Sequence, residues 1–451
     1  MKTVSADFSK ITGKIKPVHG FNNAARQTNY GPLLESFTAL APPFSRLHDT
    51  GYNGNAHYVD IFCIFPDFSA DPNDEKAYDF TLTDHYIKPL IENGIKVMYR
   101  FGTTIEHEPK KYHIFAPYDP EKWAQVCEHI VRHYNDGWAD GFHFDIDHWE
   151  VWNEPDGLNP ACEPYGCPNW IGTAEQYYDL YTRTSKRIKE RHPDVKVGGY
   201  SSCYILGKFK NGHWEAGDTS YFTDFLAYIK KENAPLDFFT YHGYLGKQYL
   251  EKIETESRFV RETLDRYGYT DTECIDAEWN VNICDIETDD RRTQYYINYR
   301  NEKGASHAAA SLYEMQRCPI DSAMYYDSQL WAAYGGLFHV PSLEPTKTYY
   351  AFRQFGELYA QKNECESHGE GLIYTCAASG GKKLLCVANI SEQTETIKLD
   401  ISGIKEKRAV IRTLSKDFDY EETYRGSIPG ELTIEGYSFI TIEFTENGEE
   451  Q

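Results

Sequence analysis

Apolar and polar residues follow one another along this chain in two rhythms. From Ile15 onward, short apolar runs that read as buried strands take turns with longer stretches whose apolar positions recur at the helical period. Strands are predicted at Ile15–Asn22, Phe44–His48, Ile95–Phe101, Ile146–Asn153, Val195–Ser201, Asp237–His242, Glu273–Glu278 and Ser322–Asp327. Helices are predicted near Pro32–Leu40, Thr83–Asn93, Pro120–Asn135, Ala174–Arg191, Tyr221–Lys231, Ile253–Tyr267, Arg292–Gln316 and Thr348–Tyr359. Gly94 and Gly137 follow two of these helices as stop signals. A long excursion, Asp49–Asp79, separates the second and third strands and carries Tyr52, Tyr58, Phe62, Phe65 and Phe68. Eight strand–helix pairs are the repeat of an α/β fold, the (β/α)8 TIM barrel. The competing doubly wound open sheet brings a glycine-rich phosphate loop after its first strand, and that loop is missing here.

After about residue 362 the helical period stops. Short alternating segments replace it at Leu372–Cys376, Lys383–Asn389, Glu395–Ile401, Ala409–Leu414 and Tyr437–Phe444, separated by Gly, Asn and Asp. They read as an appended antiparallel β-sandwich. The expected division is an edge strand at residues 1–14 that joins this β-domain, a catalytic barrel at 15–360 and the β-domain at 361–451. The β-domain holds no tryptophan, and its aromatics sit at alternating strand positions, which suits packing against the barrel better than a separate carbohydrate module.

Composition narrows the partners. The chain has 451 residues, 41% of them hydrophobic, enough for a large barrel core plus a module. A net charge of −23 argues against nucleic acid and anionic membranes and suits a neutral substrate. The first residues lack the apolar run of a signal peptide, and no stretch is long enough to span a bilayer. Eleven cysteines, an odd number and several within strands, fit free thiols in a reducing cytoplasm. Cys162 and Cys167 lie close enough in sequence to pair or to help hold a metal, but no histidine stands beside them at ligand spacing. Glu106-His107-Glu108 offers ligand types in too short a run for a cage, and no motif for a metal or cofactor occurs elsewhere. A cytoplasmic protein without cofactor is expected. Its subunit count stays open, a homo-oligomer included.

Two of the strands end on a glutamate. His148-Trp149-Glu150-Val151-Trp152-Asn153-Glu154-Pro155 delivers Glu154, and Glu273-Cys274-Ile275-Asp276-Ala277-Glu278-Trp279-Asn280 delivers Glu278. Catalytic groups of a (β/α)8 barrel sit at these strand ends, and two carboxyls facing one pocket are the minimum equipment for cleaving a glycosidic bond. Arg46 and His48 share a strand face, as do His242 and Tyr244, so all four can point into the mouth, and His48, His242, Tyr244 and the loop residue Trp331 are the expected substrate contacts, with Arg46 and Glu150 in support. Glu150 lies deeper on the face of Trp152 and Glu154, where it needs a partner such as Arg46. A cation there would also keep Glu278 ionised, while Trp152 and a negative Glu278 would favour a protonated Glu154. Each has a plainer reading: a loop cap for the glutamates, a structural ion pair for Arg46 and Glu150, satisfied core histidines for His48 and His242, simple packing for Trp170 and Trp331.

The run Glu150-Val151-Trp152-Asn153-Glu154-Pro155 resembles the acid/base motif of the clan A glycoside hydrolases, and the chain is similar to glycoside hydrolase family 39. Arg46-Leu47-His48, Val197-Gly198-Gly199, Asp237-Phe238-Phe239-Thr240-Tyr241-His242, Ala277-Glu278-Trp279-Asn280 and Pro345-Thr346-Lys347 resemble further stretches of that family, in the same order. The chain departs from the family near the eighth strand, where Ser322-Ala323-Met324-Tyr325-Tyr326 stands in place of Ser-x-Trp and the next tryptophan is Trp331. The resemblance implies that Glu154 is the acid/base, Glu278 the nucleophile and Asn153 a ligand of the sugar 2-hydroxyl. It implies a retaining exo-glycosidase that releases a monosaccharide, first of all β-D-xylose, from short oligosaccharides. An α-L-arabinofuranosidase, β-glucosidase or β-galactosidase on the same scaffold is the alternative, and a sugar-binding barrel without catalysis is the rival from another class.

Overall fold

The structure is a computed structural model that describes residues 1–24, 31–50, 57–104, 113–157, 169–203, 205–210, 213–216, 219–245, 249–281, 299–330 and 336–446. After an N-terminal strand, β1 (Lys2–Lys14), come β2 (Gly20–Asn22), β3 (Phe44–Leu47), β4 (Lys96–Phe101), β5 (His148–Val151) and β6 (Lys196–Ser202). A small hairpin, β7 (Gly207–Lys210) and β8 (His213–Ala216), precedes β9 (Phe238–Leu245), β10 (Glu273–Val281) and β11 (Ser322–Tyr325). Strands β2, β3, β4, β5, β6, β9, β10 and β11 pair in that order, all in parallel, and β11 closes on β2. The eight strands read from the apolar pattern are these eight, so the (β/α)8 barrel stands.

Outside the ring lie α1 (Gly31–Thr38), α2 (Ile61–Ile64), α3 (Thr81–Glu92), α4 (Pro120–Asn135), α5 (Ala174–Arg191), α6 (Ser220–Lys231), α7 (Tyr249–Tyr267), α8 (Glu302–Arg317) and α9 (Lys347–Gln361). Their ends follow local chemistry. Asp119 caps α4 by accepting from the Lys122 N–H, with Pro120 at the first helical position. Thr173 and Gln176 form a capping box at the start of α5. The helix expected at Arg292–Gln316 begins later, at Glu302, where Asn301 caps it by accepting from the Lys303 and Gly304 N–H groups; residues 282–298 lie outside the described residues. The long excursion after β3 holds the single turn of α2 and a 3-10 turn at Glu75–Ala77. Among the described residues, no helix is long and apolar enough to cross a membrane.

The barrel floor is a plug of Phe44, Met98, Phe238, Ile275, Ala277 and Met324. The mouth above it is polar.

Strands β12 (Asn363–Gly369), β13 (Ile373–Ser379), β14 (Lys383–Asn389), β15 (Glu395–Ser402), β16 (Arg408–Leu414), β17 (Asp419–Ser427), β18 (Glu431–Ile434) and β19 (Ser438–Thr445) complete the β-domain. They form, with β1, one continuous nine-stranded sheet in the order β17-β16-β19-β14-β13-β12-β1-β15-β18. Two readings change here. The N-terminal strand is interior, antiparallel to β12 on one side and parallel to β15 on the other, so it is no edge. The sheet is therefore mixed. The cause is the alternation in β1, whose Val4, Ala6 and Phe8 join the core of the β-domain beside Ile397, Leu399 and Ile442. The other face of the sheet presents Cys376, Leu384, Leu414 and Phe439 to the core that surrounds the barrel. On α9, Gln354 Nε2 donates to the Ile440 carbonyl at 3.1 Å and to Thr441 Oγ1 at 2.7 Å. This is the packing role expected of a β-domain without tryptophan. The described cysteines other than Cys203 are free thiols, most of them buried, while Cys162 and Cys167 lie outside the described residues.

Because β1 bonds both neighbours at once, removing residues 2–14 should unpair β12 from β15 and expose the inner face of the sheet. The truncated protein should bind a hydrophobic dye and lose its cooperative thermal transition; an unchanged midpoint would contradict this role for β1.

Candidate active site

The two glutamates and Arg46 reach the mouth from the C-terminal ends of strands, and three local irregularities aim the groups around them. In β10, Asp276 pairs with Tyr241 and Glu278 with His242, which leaves Ala277 as the extra residue of a bulge. Ala277 points to the floor, so strict alternation would send Glu278 outward; the bulge brings it in. In β6 the register slips between Tyr200 and Ser202, and Ser201 takes a left-handed φ of 56°. After β5, Trp152 and Glu154 take φ of 72° and 50°, and the chain crosses from the edge of β4 to that of β6: Trp152 N–H donates to the Phe101 carbonyl, and Glu154 N–H to the Tyr200 and Ser201 carbonyls. One expectation falls with this. Trp152 does not share the inner face of Glu150 and Glu154; its ring packs at 5.0 Å from Trp170 and 6.4 Å from Trp123.

Arg46 is the hub. It is fully buried, and its guanidinium reaches five partners. Nε donates to Glu150 Oε2 at 2.7 Å, and Nη1 to Asn22 Oδ1 at 2.9 Å and Glu278 Oε1 at 2.8 Å. Nη2 donates to Asn153 Oδ1 at 2.7 Å and Ser201 Oγ at 2.8 Å. Ser201 in turn donates to Glu150 Oε1 at 2.7 Å. Five N–H groups meet five acceptors, the condition under which a planar guanidinium can be buried. The flanking carboxylates raise its already high pKa against the cost of burial, so it stays charged.

Glu278 accepts from Arg46 on one oxygen and from the Tyr244 hydroxyl on the other, at 2.6 Å. Burial pushes its carboxyl up, with the charge of Glu154 adding to this; His242, Arg46 and the Tyr244 hydroxyl oppose it. Glu154 Oε2 accepts from Asn169 Nδ2 at 2.7 Å, and Oε1 lies 2.7 Å from His242 Nδ1. The other ring nitrogen of His242, Nε2, is 3.5 Å from Glu278 Oε1. The imidazole therefore stands between the two carboxyls, and burial lowers its pKa to about 4, which keeps it neutral near pH 7. One oxygen of each glutamate and one nitrogen of His242 lie within 4.8 Å of one another. These are also metal-ligand types. However, Arg46 occupies Glu278 and the shortest of these distances is a hydrogen bond, so the trio reads as a proton network rather than a cation cage.

The remaining predicted residues fall as follows. Asn153 is buried with Oδ1 held by Arg46, while its Nδ2 has no hydrogen-bond partner among the described residues. His48 is buried, with Nε2 3.3 Å from Asp49 Oδ2 and 3.7 Å from Glu278 Oε1. Tyr326 directly follows β11. Its hydroxyl donates to Asp49 Oδ2 at 3.0 Å, and its ring lies 6.3 Å from that of Tyr244. Trp170 is core, 5% exposed, as its plainer reading had it. Trp331 and the run Glu106-His107-Glu108 lie outside the described residues.

Sequence reasoning missed Asn22, Ser201, Asn169 and Asp156. The first two are polar ends of predicted strands and could have been found that way. Asn169 meets Glu154 from 15 positions further along the chain, a contact that spacing does not reveal. Asp156 is half-buried, accepting from Ser202 Oγ at 2.6 Å and the Cys203 N–H at 3.0 Å. Burial raises its pKa to about 6.

Replacing Arg46 by Met would leave Glu150 and Glu278 buried without their cation, and should cost about 3–5 kcal/mol of stability in urea titrations. A loss below about 1 kcal/mol would contradict the hub. Asp156 gives a pH test. A carboxyl whose pKa is higher folded than unfolded stabilises the fold when protonated, and that stability is lost as pH rises through about 6. Asp156→Asn should therefore match the parent near pH 4 and exceed it by on the order of 3 kcal/mol near pH 8; the opposite trend would contradict the burial.

The sequence profile of glycosyl hydrolases family 39 matches residues 49–300, more than half the chain. Over 209 residues the chain is 25% identical to a β-xylosidase of Geobacillus stearothermophilus, a match that covers 43% of this chain and 36% of that protein, about a third of the relative's length. Among solved structures, the fold is similar to that of a glucosidase from Croceicoccus marinus (TM-score 0.77, 21% identity, 99% of both chains). It is also similar to a monomeric β-xylosidase from Caulobacter crescentus (TM-score 0.68, 15% identity, 99% of this chain and 100% of that one). With the carboxyl pair at the mouth of a closed (β/α)8 barrel, the profile match decides the matter: this chain belongs to glycosyl hydrolases family 39.

Proposed function

We propose that the protein is a retaining exo-glycosidase that releases a terminal sugar, β-D-xylose first among candidates, from short oligosaccharides. The observation that carries the reading is the close approach of Glu154 and Glu278 on either side of His242. Retaining enzymes hold their carboxyls roughly 5–5.5 Å apart, whereas inverting ones leave room for a water between carboxylate and sugar. The β-xylosidase relative and the xylosidase among the similar structures favour the sugar.

The hydrogen bonds divide the roles. Arg46 and Tyr244 donate to both oxygens of Glu278, which suits an ionised nucleophile with one lone pair turned to the anomeric carbon. Glu150 and Glu278 each accept from Arg46, whereas Glu154 does not touch the guanidinium, which leaves Glu154 as the carboxyl that lacks that cation and is suited to hold a proton. Glu154 is the one whose neighbour can accept. With the proton kept on Glu154 Oε1, neutral His242 accepts that hydrogen bond at Nδ1 and carries its own hydrogen on Nε2, toward Glu278. Glu154 then protonates the leaving oxygen as Glu278 attacks. In the second step the ionised Glu154 takes a proton from water, and the same imidazole can shift its hydrogen to Nδ1 and donate to it. Asn153 Nδ2 supplies a donor for the 2-hydroxyl, a contact that tightens in the transition state.

Glu278→Ala should abolish turnover with the fold intact, and azide should restore product with the opposite anomeric configuration. Glu154→Ala should slow substrates with poor leaving groups by about 10²–10⁴ and activated aryl glycosides far less. Equal losses on both would remove Glu154 as proton donor. A panel of nitrophenyl xyloside, arabinofuranoside, glucoside and galactoside would fix the sugar.

A further inference from the structure

One acid beside the proton donor has no part in the chemistry above. After β5 the chain turns back at once: the Gly157 N–H donates to the Glu154 carbonyl at 2.9 Å. Asp156 is two positions from Glu154, and two positions span at most about 7 Å. Both ends of the turn are fixed by β6 and the residue after it. The Glu154 N–H is held by the Tyr200 and Ser201 carbonyls, and the Asp156 carboxyl accepts from Ser202 Oγ at 2.6 Å and the Cys203 N–H at 3.0 Å. A Cβ on Gly157 would come to 3.0 Å from Asn169 Nδ2, the amide that bonds Glu154 Oε2, so the turn is packed without slack.

The surroundings leave the charge of Asp156 unmatched. Tyr177 and Tyr178 of α5, Tyr200 of β6 and Tyr221 of α6 lie within reach of it, and burial raises the pKa of all four phenols, so none is ionised near neutral pH. His242 of β9 is neutral there too. Among the described residues no lysine or arginine forms an ion pair with Asp156. Burial, and after it the charge of Glu154, raises the Asp156 pKa to about 6 against the hydrogen bonds from Ser202 and Cys203 and against His242. The repulsion of two carboxylates is one energy that acts on both, so an ionised Asp156 disfavours the loss of a proton from Glu154 by as much. From about pH 6 upward that charge costs the fold stability and bears on the proton donor.

We propose that Asp156 is a positioning residue for the catalytic proton: its negative charge beside Glu154 keeps the acid/base carboxyl protonated until the first step consumes that proton. The inference rests on the glycosidase reading above, with Glu154 as donor. It is tested with Asp156→Asn, which keeps the shape, and Asp156→Ala, which does not, on a glycoside whose leaving group is poor. Both variants should move the alkaline limb of kcat/KM down by about one pH unit, the scale of two partly screened charges this close. On that limb kcat/KM should fall about 10-fold, while at pH 5, where the parent's Asp156 is itself protonated, it should stay within about twofold. Asp156→Asn should show this while gaining stability at pH 8, which separates the loss from unfolding. Equal losses at both pH values, or a limb that moves only in Asp156→Ala, would make Asp156 a structural contact and overturn the proposal. Carbon NMR of carboxyl-labelled glutamate, with the Glu154 signal assigned from Glu154→Gln, follows the same proton without turnover. Its midpoint should fall by a similar amount in Asp156→Asn, and an unmoved midpoint would overturn the proposal. A shifted midpoint in a protein that hydrolyses no glycoside would support the hold on the proton and count against the glycosidase reading instead.

Discussion

The five hydrogen bonds of Arg46 are the constraint on which the site depends. A guanidinium at the centre of a barrel is expensive to bury, and it is tolerated because Asn22, Glu150, Asn153, Ser201 and Glu278 each present an oxygen at bonding distance. Those acceptors come from β2, from β5 and its end, from β6 and from β10, so satisfying one side chain fixes four strands relative to one another. The arrangement also sets the electrostatics. Glu278 receives a permanent positive charge against the cost of its burial, Glu150 is neutralised beneath it, and Glu154, which Arg46 does not touch, is left to share a proton with His242.

The barrel contributes position, and its departures from regularity contribute aim. Perfect alternation in β10 cannot point both Ala277 to the floor and Glu278 to the mouth, and a perfect β6 would not turn Ser201 onto Glu150. Left-handed residues after β5 do the same for Glu154. Such irregularities survive because the hydrogen bonds they allow outweigh their local cost. The mixed sheet of the β-domain stands apart from this chemistry, bound to α9 through Gln354 and closed by a strand from the far end of the chain.

Much of this was legible in the residues. The apolar runs located all eight barrel strands because each is buried on both faces, and Glu154 and Glu278 stood out because a charged residue ends an apolar run only where the chain reaches a solvent-facing mouth. Arg46 and Tyr244 followed from period-two spacing. What was not legible depended on contacts distant in sequence. Asn169 meets Glu154 from 15 positions further along the chain, and Asp156 is recognisable only once Ser202 and Cys203 are brought beside it. The outward turn of Trp152 was missed because a left-handed φ at a tryptophan breaks the alternation on which the reading relied. The N-terminal strand was taken for an edge because nothing in 13 residues announces that both flanks will be paired.

The claim most exposed to test is that the carboxylate gripped by Arg46 and Tyr244 is the atom group that attacks the sugar. A 2-deoxy-2-fluoro glycoside with an activated leaving group slows the second step and traps the covalent intermediate, which peptide mass spectrometry can locate. The account predicts one label per chain, on Glu278. A label on another carboxyl, or steady turnover of the substrate with no adduct formed, would contradict it.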